Sequence, residues 1–472
     1  MKLNGQFEID APRDLVFKQI NNPGLMAECI PGCEFIERID PARYRAVVVV
    51  GLGAVKARFD LVVAIVSEDP PVEVRSQTTG MEGGRTSSLV AKNRVWLTEL
   101  GSGVTRVEYE SDLNISGRLG KFGLGVMRKY LEKLGVRFAD NFKAGILSAD
   151  AGVGHEETRR GEETSAEPDT GFQETTEEVS KVPEKFEVQE RLGSVCFPTS
   201  LEDAVRLLAN ERDSFPLAGG ATLVAMHNAG LVKVGTYVSL ERIESLQGIS
   251  AGENGWIRIG AMTRHCETAS SKLLTGNLAV LRQAAASIAN MPVRNMGTMG
   301  GSLAHADPAA DYLAALAAVD AKIELIGPGG VRTVEISEWI VNWYETRLNA
   351  HELIAGVYLP PPAETYSFYR KVARVSGDYA VATCAISVEP HQHRVRIAIG
   401  ACGPAPLRSP DLEPAFDGET VADDELQDLV KQLSSEADPV DDVRGSAQHR
   451  LNLIPRLVQD AVTRLSQAHE SY

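Results

Sequence analysis

The residues best suited to chemistry form the run Gly297–Asp311, GTMGGSLAHADPAAD. It combines three glycines with other small residues and ends in two carboxylates, Asp307 and Asp311, with Pro308 between them. Small residues let a backbone come within hydrogen-bond range of a ligand. Successive N–H groups in tight turns make a concavity that suits a phosphate. A second small-residue run, Ala218-Gly219-Gly220-Ala221-Thr222, lies upstream. A short apolar strand, Phe215–Ala218, is expected to run into it and a helix, Leu223–Asn228, to leave it. Strand, tight turn, helix is a geometry that aims N–H groups at an anion. The pair reads as two walls of one nucleotide site.

Other chemistries find less support. No G-x-G-x-x-G lies between a strand and a helix with an acidic residue about twenty positions on, which excludes a Rossmann dinucleotide fingerprint. No G-x-x-x-x-G-K-[ST] occurs. His305 invites a catalytic reading, but a histidine inside a small-residue ligand loop reads better as support behind the ligand. His227 and His265 are weaker candidates. The C-terminal segment offers no nucleophile–base pair, so no catalytic residue is assigned. The six cysteines, Cys29, Cys33, Cys196, Cys266, Cys384 and Cys402, form no C-x-x-C and no cluster, so no metal or iron–sulfur ligand set is assigned. Cys29 and Cys33 flank a Pro31-Gly32 turn and read as free thiols of a reducing compartment.

These loops must be positioned by a large chain. At 472 residues it exceeds one ordinary core. Hydrophobic residues make up 43% and charged residues 24%, as in globular proteins. With 48 cations against 64 acids the formal charge is −16, which argues against a nucleic-acid partner. No apolar run approaches the roughly 18 residues that span a bilayer, and the N-terminus has no secretion signal. A cytoplasmic location follows.

Residues 1–147 read as an antiparallel meander closed by one long helix. Lys2–Ile9 alternates as a strand, and Asp10 with Pro12 is expected to start a helix. Further strands are expected at Tyr44–Gly51, Val55–Ser67, Glu73–Thr79, Ser87–Glu99 and Val104–Ile115. A helix over Leu119–Leu147 carries Phe122, Val126, Tyr130, Leu134, Phe138, Phe142 and Ile146 on one broad face, made to lie against a sheet. That stripe is either plain core or the wall of an apolar cavity. Residues 148–185 change character: ten carboxylates against three cations between Ser148 and Pro183, with almost no aromatics, describe a disordered, solvated tether. Residues 186–362 carry the two glycine runs among short strands and helices: helices at Leu201–Ala209, capped by Thr199 or Ser200, Leu278–Ile288 and Pro308–Val319, and a strand at Lys322–Ile326. Residues 363–472 read as a strand, a hairpin and two helices.

Two family resemblances attach to these halves. G-x-F-x-I-x-A-P at Gly5–Pro12, the N-N-P…C-I-P-G-C run at Asn21–Cys33 and Val107–Leu119 resemble the CoxG family of carbon monoxide dehydrogenase proteins, of helix-grip (START-like) fold. That resemblance implies recruitment to the inner face of a membrane, or an apolar cavity for a quinone or lipid. P-L-A-G-G-A-T-L at Pro216–Leu223, I-G-A-M-T at Ile259–Thr263, Gly297–Asp311, E-L-I-A-G-V-Y-L-P at Glu352–Pro360, Tyr369–Ala380 and Asp441–Arg450 resemble the FAD-binding medium subunit of molybdenum hydroxylases, the carbon monoxide dehydrogenase flavoprotein in particular. The fold implied is α+β: the helix-grip domain, then a two-lobed vanillyl-alcohol oxidase (PCMH-type) FAD-binding domain and a small α+β C-terminal domain.

The resemblance also implies an FAD site. Its first pyrophosphate loop falls on Ala218, Gly219, Gly220, Ala221 and Thr222, followed by Leu223, and its second on Thr298, Met299, Gly300 and Gly301, followed by Ser302. Thr263 falls near the dinucleotide, Asp311 on a residue that binds ribityl or ribose hydroxyls, Leu353 beside the adenine, and Lys371 and Tyr379 beside the isoalloxazine. Ala221 and Ser302 depart from relatives, which often carry a polar or larger residue and Asn. The function implied is an electron-transfer flavoprotein subunit. It would draw on an iron–sulfur small subunit, with substrate turned over on a molybdopterin-bearing large subunit. A flavin subunit using NAD or oxygen, and a non-enzymatic assembly protein, remain as alternatives.

Overall fold

The computed structural model describes residues 1–52, 55–82, 87–101, 103–117, 124–152, 194–211, 213–232, 234–252, 254–389, 391–417 and 420–470. Most of the expected tether, from residue 153 on, and the expected helix start at Leu119 lie outside them.

The first domain is a seven-stranded antiparallel sheet around one helix. The strands are β1 (Lys2–Ile9), β2 (Cys33–Asp40), β3 (Arg43–Leu52), β4 (Val55–Asp69), β5 (Glu73–Glu82), β6 (Ser87–Gly101) and β7 (Val104–Gly117), in the order β1-β7-β6-β5-β4-β3-β2. Two short helices, α1 (Arg13–Ile20) and α2 (Pro23–Cys29), join β1 to β2, and α3 (Leu124–Gly152) closes the domain. Asp10 does not cap α1. The Ala11 N–H turns back to the Ile9 carbonyl at 2.9 Å, so the chain bends first and Pro12 becomes the capping position. α2 starts on Asn22, whose side chain accepts the N–H groups of Gly24 and Leu25. The helix stripe is buried against the sheet: Phe7 meets Phe138 and Phe142 edge-on, both at 6.4 Å.

The second part has two lobes. A parallel sheet of β8 (Ser194–Cys196), β9 (Ser214–Leu217) and β10 (Thr236–Ser239) is ordered β8-β10-β9. It packs with α4 (Leu201–Asn210), whose N-cap Ser200 accepts the Asp203 N–H, and α5 (Leu223–Asn228). The other lobe is an antiparallel sheet of β11 (Ile249–Ala251), β12 (Ile257–Gly260), β13 (Lys322–Gly327), β14 (Gly330–Glu335) and β17 (Leu353–Leu359), ordered β11-β12-β17-β13-β14. Between the strands lie α6 (His265–Ser270), α7 (Ala279–Ser287), α8 (Met291–Met296), α9 (Met299–His305), α10 (Asp311–Ala317), α11 (Ile336–Trp339) and a small ribbon, β15 (Ile340–Asn342) with β16 (Glu345–Thr346). α10 is buried on every side, which explains its run of alanines. Its core is continuous with Leu278, Leu281, Ile323, Trp339 and Val357.

The last part is a three-stranded antiparallel sheet, β18 (Ser367–Val372), β19 (Ala382–Glu389) and β20 (Arg394–Gly400), covered by α12 (Asp423–Glu436) and α13 (Ala447–Glu470). The α+β architecture expected above, grip domain followed by a two-lobed domain and a small C-terminal domain, is the one the chain adopts. No helix among the described residues is long and apolar enough to cross a membrane.

Candidate functional site

A cavity of about 630 Å³ opens between the lobes, within the range of cofactor sites. The first glycine run forms one wall. β9 ends at Leu217, and Gly220 turns the chain at φ +72°, a conformation that favours glycine. Gly219 lies so close to the second run that a methyl group on it would come within 2.6 Å of the Met296 carbonyl carbon and 3.2 Å of the Gly297 Cα. Among the described residues the N–H groups of Gly219, Gly220, Ala221 and Thr222 have no backbone acceptor. Four such donors beside one cavity make the kind of nest that binds an anion.

The second run behaves differently. The Met299 N–H donates to the Thr263 carbonyl at 3.0 Å and the Gly300 N–H to the Ala261 carbonyl at 2.8 Å. The Gly301 N–H donates to Thr298 Oγ1 at 3.1 Å. Gly300 is small because a methyl there would lie 2.6 Å from the Ala261 Cβ. The glycines of this run therefore serve close packing of α9 on the end of β12, and its amides are largely spent inside the protein. After α9, Ala306 adopts a left-handed conformation (φ 52°) and delivers Asp307, which accepts the Ala309 N–H and, at 3.1 Å, the Tyr344 hydroxyl.

The polar groups of the cavity are mutually tied. Asp311 Oδ1 accepts the Tyr369 hydroxyl at 2.7 Å, and Oδ2 accepts the Lys371 ammonium at 3.0 Å. Lys371 also donates to the Ser287 carbonyl. Burial pushes the Asp311 carboxyl above the usual carboxylate range, opposed by Lys371 and by the Tyr369 hydroxyl. Glu352 is held at about 2, chiefly by its hydrogen bonds from Arg332. His265, with Nδ1 3.1 Å from the Tyr312 hydroxyl, is pushed down to about 4 by burial and by Arg294, so it is neutral. Burial also lowers His305, whose ring lies 5.5 Å from that of Tyr344. Tyr379 stands at the rim with the Arg444 guanidinium 4.9 Å over its ring.

All but two of the expected cofactor residues line this cavity. Thr263 and Met299 do not: both are fully buried, and Thr263 Oγ1 donates to the Gly248 carbonyl at 2.8 Å. His227 is likewise turned away, bonded to the Tyr237 hydroxyl. Residues outside the expected set also line it, among them Met262, His265, Asp307 and Tyr344. Asp307 was legible as the partner carboxylate of Asp311; Tyr344 carried no local signal. The cavity fits FAD in kind. Unclaimed amides can meet a diphosphate, and Leu240, Met262, Leu353 and Ile354 give apolar wall for the rings.

Comparison with known proteins agrees with this geometry. Residues 185–362 match the family model for the FAD binding domain in molybdopterin dehydrogenase, and residues 367–465 that for the CO dehydrogenase flavoprotein C-terminal domain. Residues 5–147 match the family model for the carbon monoxide dehydrogenase protein CoxG. The chain is 30% identical over 265 residues to the glyceraldehyde dehydrogenase medium chain of Sulfolobus acidocaldarius, covering 56% of this chain and 94% of that protein. It is 32% identical over 270 residues to the carbon monoxide dehydrogenase medium chain of Hydrogenophaga pseudoflava, covering 56% and 94%. A solved carbon monoxide dehydrogenase from Hydrogenophaga pseudoflava superposes with a TM-score of 0.54 at 31% identity, covering 59% of this chain and 98% of that one. With its glycine-lined cavity and these matches, the chain belongs to the FAD-binding medium-subunit family of molybdenum hydroxylases, preceded by a domain of the CoxG family.

Proposed function

We propose that the chain is the flavin-bearing relay of a carbon monoxide dehydrogenase-like molybdenum hydroxylase. It would accept electrons from an iron–sulfur partner subunit and pass them to an external acceptor, while a molybdenum-bearing subunit turns over the substrate. The observation that carries this reading is the cavity between the lobes, where four unclaimed amides stand beside apolar walls. Bound FAD would supply the redox chemistry. The residues of the chain hold and orient. The Gly219–Thr222 amides would meet the diphosphate, and Asp311, already pinned by Tyr369 and Lys371, would present its remaining acceptor capacity to ribityl or ribose hydroxyls. Lys371 places a buried positive charge where the isoalloxazine is expected, favouring a more electron-rich ring. Neutral His265 adds no charge. The grip domain would recruit the assembly to a membrane or present a quinone-like acceptor.

The test is a flavin spectrum of the purified chain, then anaerobic reduction of that flavin by the partner subunits with carbon monoxide, an aldehyde or an aromatic heterocycle. Bound FAD reduced only when the partners are present supports the relay. A chain that takes up no FAD on loading refutes it. Co-sedimentation of the complex with quinone-containing vesicles tests the role of the grip domain.

A further inference from the structure

The grip domain does not stand apart from the flavin cavity. Gly51 at the end of β3, and Tyr130 and Arg137 on α3, line the same cavity as the two glycine runs. Two further contacts hold the domain there. An apolar cluster joins Ala57 and Phe59 of β4 to Val232 and Val234, which follow α5, with Leu223 and Met226 of α5 packed against it. Lys129, one residue before Tyr130, reaches Asp438 of the C-terminal domain at 2.6 Å. The grip domain is thus anchored beside α5, the helix that leaves the first glycine run.

We propose that the grip domain forms part of the FAD site, with Arg137 supplying a cation to the dinucleotide's diphosphate and α3 covering the cavity. The inference rests on the FAD reading above. The charge balance favours it. Of the cations on this cavity wall, Lys371 is already bound to Asp311, whereas Arg137 makes no ion pair or hydrogen bond among the described residues. It faces a cavity whose first wall offers four amides without acceptors. A diphosphate met by amides alone would leave its charge uncompensated, and a guanidinium is the donor best shaped to phosphate oxygens. Tyr130, bound to the Gly51 backbone, braces the same wall. FAD would then be enclosed by three parts of one chain, and its escape would require the grip domain to lift.

The experiment is flavin titration of the full-length apoprotein, comparing the parent with Arg137→Ala and Arg137→Lys, using FAD and, in parallel, riboflavin, which has no phosphate. The expected result is a roughly tenfold weaker FAD affinity for Arg137→Ala, partial recovery in Arg137→Lys, a difference that shrinks as salt rises, and no change for riboflavin. FAD should also slow hydrogen exchange in α3. FAD affinity of Arg137→Ala within twofold of the parent, an equal loss for riboflavin, or unchanged exchange in α3 would overturn the inference. A parent chain that binds no flavin overturns the functional reading as well; a parent that binds FAD while Arg137→Ala binds equally well overturns this inference alone.

Discussion

Gly219→Ala is the sharpest test of how the two glycine runs meet. The new methyl would come within 2.6 Å of the Met296 carbonyl carbon, and closer still to its oxygen, where ordinary contact begins at 3.4 Å. The obstacle is backbone, so no side chain can swing away, and the runs must part by at least 0.8 Å, the difference between those distances. Overpacking of this kind costs about 1–3 kcal/mol. The same displacement moves the Gly219–Thr222 amides off the positions they would need for a diphosphate. Losing one charge-assisted hydrogen bond, about 1.5–3 kcal/mol, corresponds to a ten- to hundredfold weaker FAD affinity. Thermal melts of the apoprotein read the first effect and FAD titration the second. Gly329→Ala is the control, because a methyl there meets nothing within 4 Å. If Gly219→Ala melts and binds FAD as the control does, the contact between the runs does not shape the site.

Three further outcomes follow from the same geometry. Asp311→Asn leaves the Lys371 ammonium, 9% exposed, facing a neutral amide, and should cost about 3 kcal/mol, read as a lower Tm of the apoprotein; an unchanged Tm would show that the pair contributes nothing. His265 is held at about 4 against an ordinary 6.5, so the unfolded chain takes up a proton that the folded chain refuses. Its contribution is constant above about pH 6.5 and falls by about 3 kcal/mol as pH drops to about 4, and urea unfolding of His265→Gln should lack that part of the slope. Val232→Asp puts a charge into the apolar cluster that joins the grip domain to α5 and should release the domain, raising the radius of gyration in small-angle scattering; an unchanged radius would refute that anchoring role.

Much of this was readable from the chain because the signals were local. Lys2–Ile9 alternates and is a strand over that same span, and Leu223–Asn228 is the helix that the preceding turn predicts. The strand Cys33–Asp40 was missed because its pairing with β3 shifts register at both ends, which breaks the alternation. The helix Pro23–Cys29 was missed although its signal was present, Asn22 as N-cap and proline at the first position. Which glycines face a ligand was not legible. Gly220 and Gly300 look alike in sequence. One turns the chain at a left-handed φ beside free amides, and the other is small because Ala261 presses on it. That distinction comes from β12, far away in the chain.

The unequal division between the two runs bears on what FAD would do to the fold. The first run holds the unclaimed amides and belongs to the parallel-sheet lobe. The second spends its amides on β12 and so belongs rigidly to the antiparallel lobe. A ligand gripped by the first run and walled by the second bridges two bodies that otherwise touch there through Gly219 and Met296. Binding energy gained at the diphosphate is therefore also energy holding the lobes together, about 2.7 kcal/mol at a hundredfold excess over Kd. Side chains need add little to that grip, which is consistent with Ala221 and Ser302 standing where larger or amide side chains were expected. The polar side chains that remain, Asp311 with Tyr369 and Lys371, are tied to one another, and so are free to set the charge around the flavin rather than to hold it.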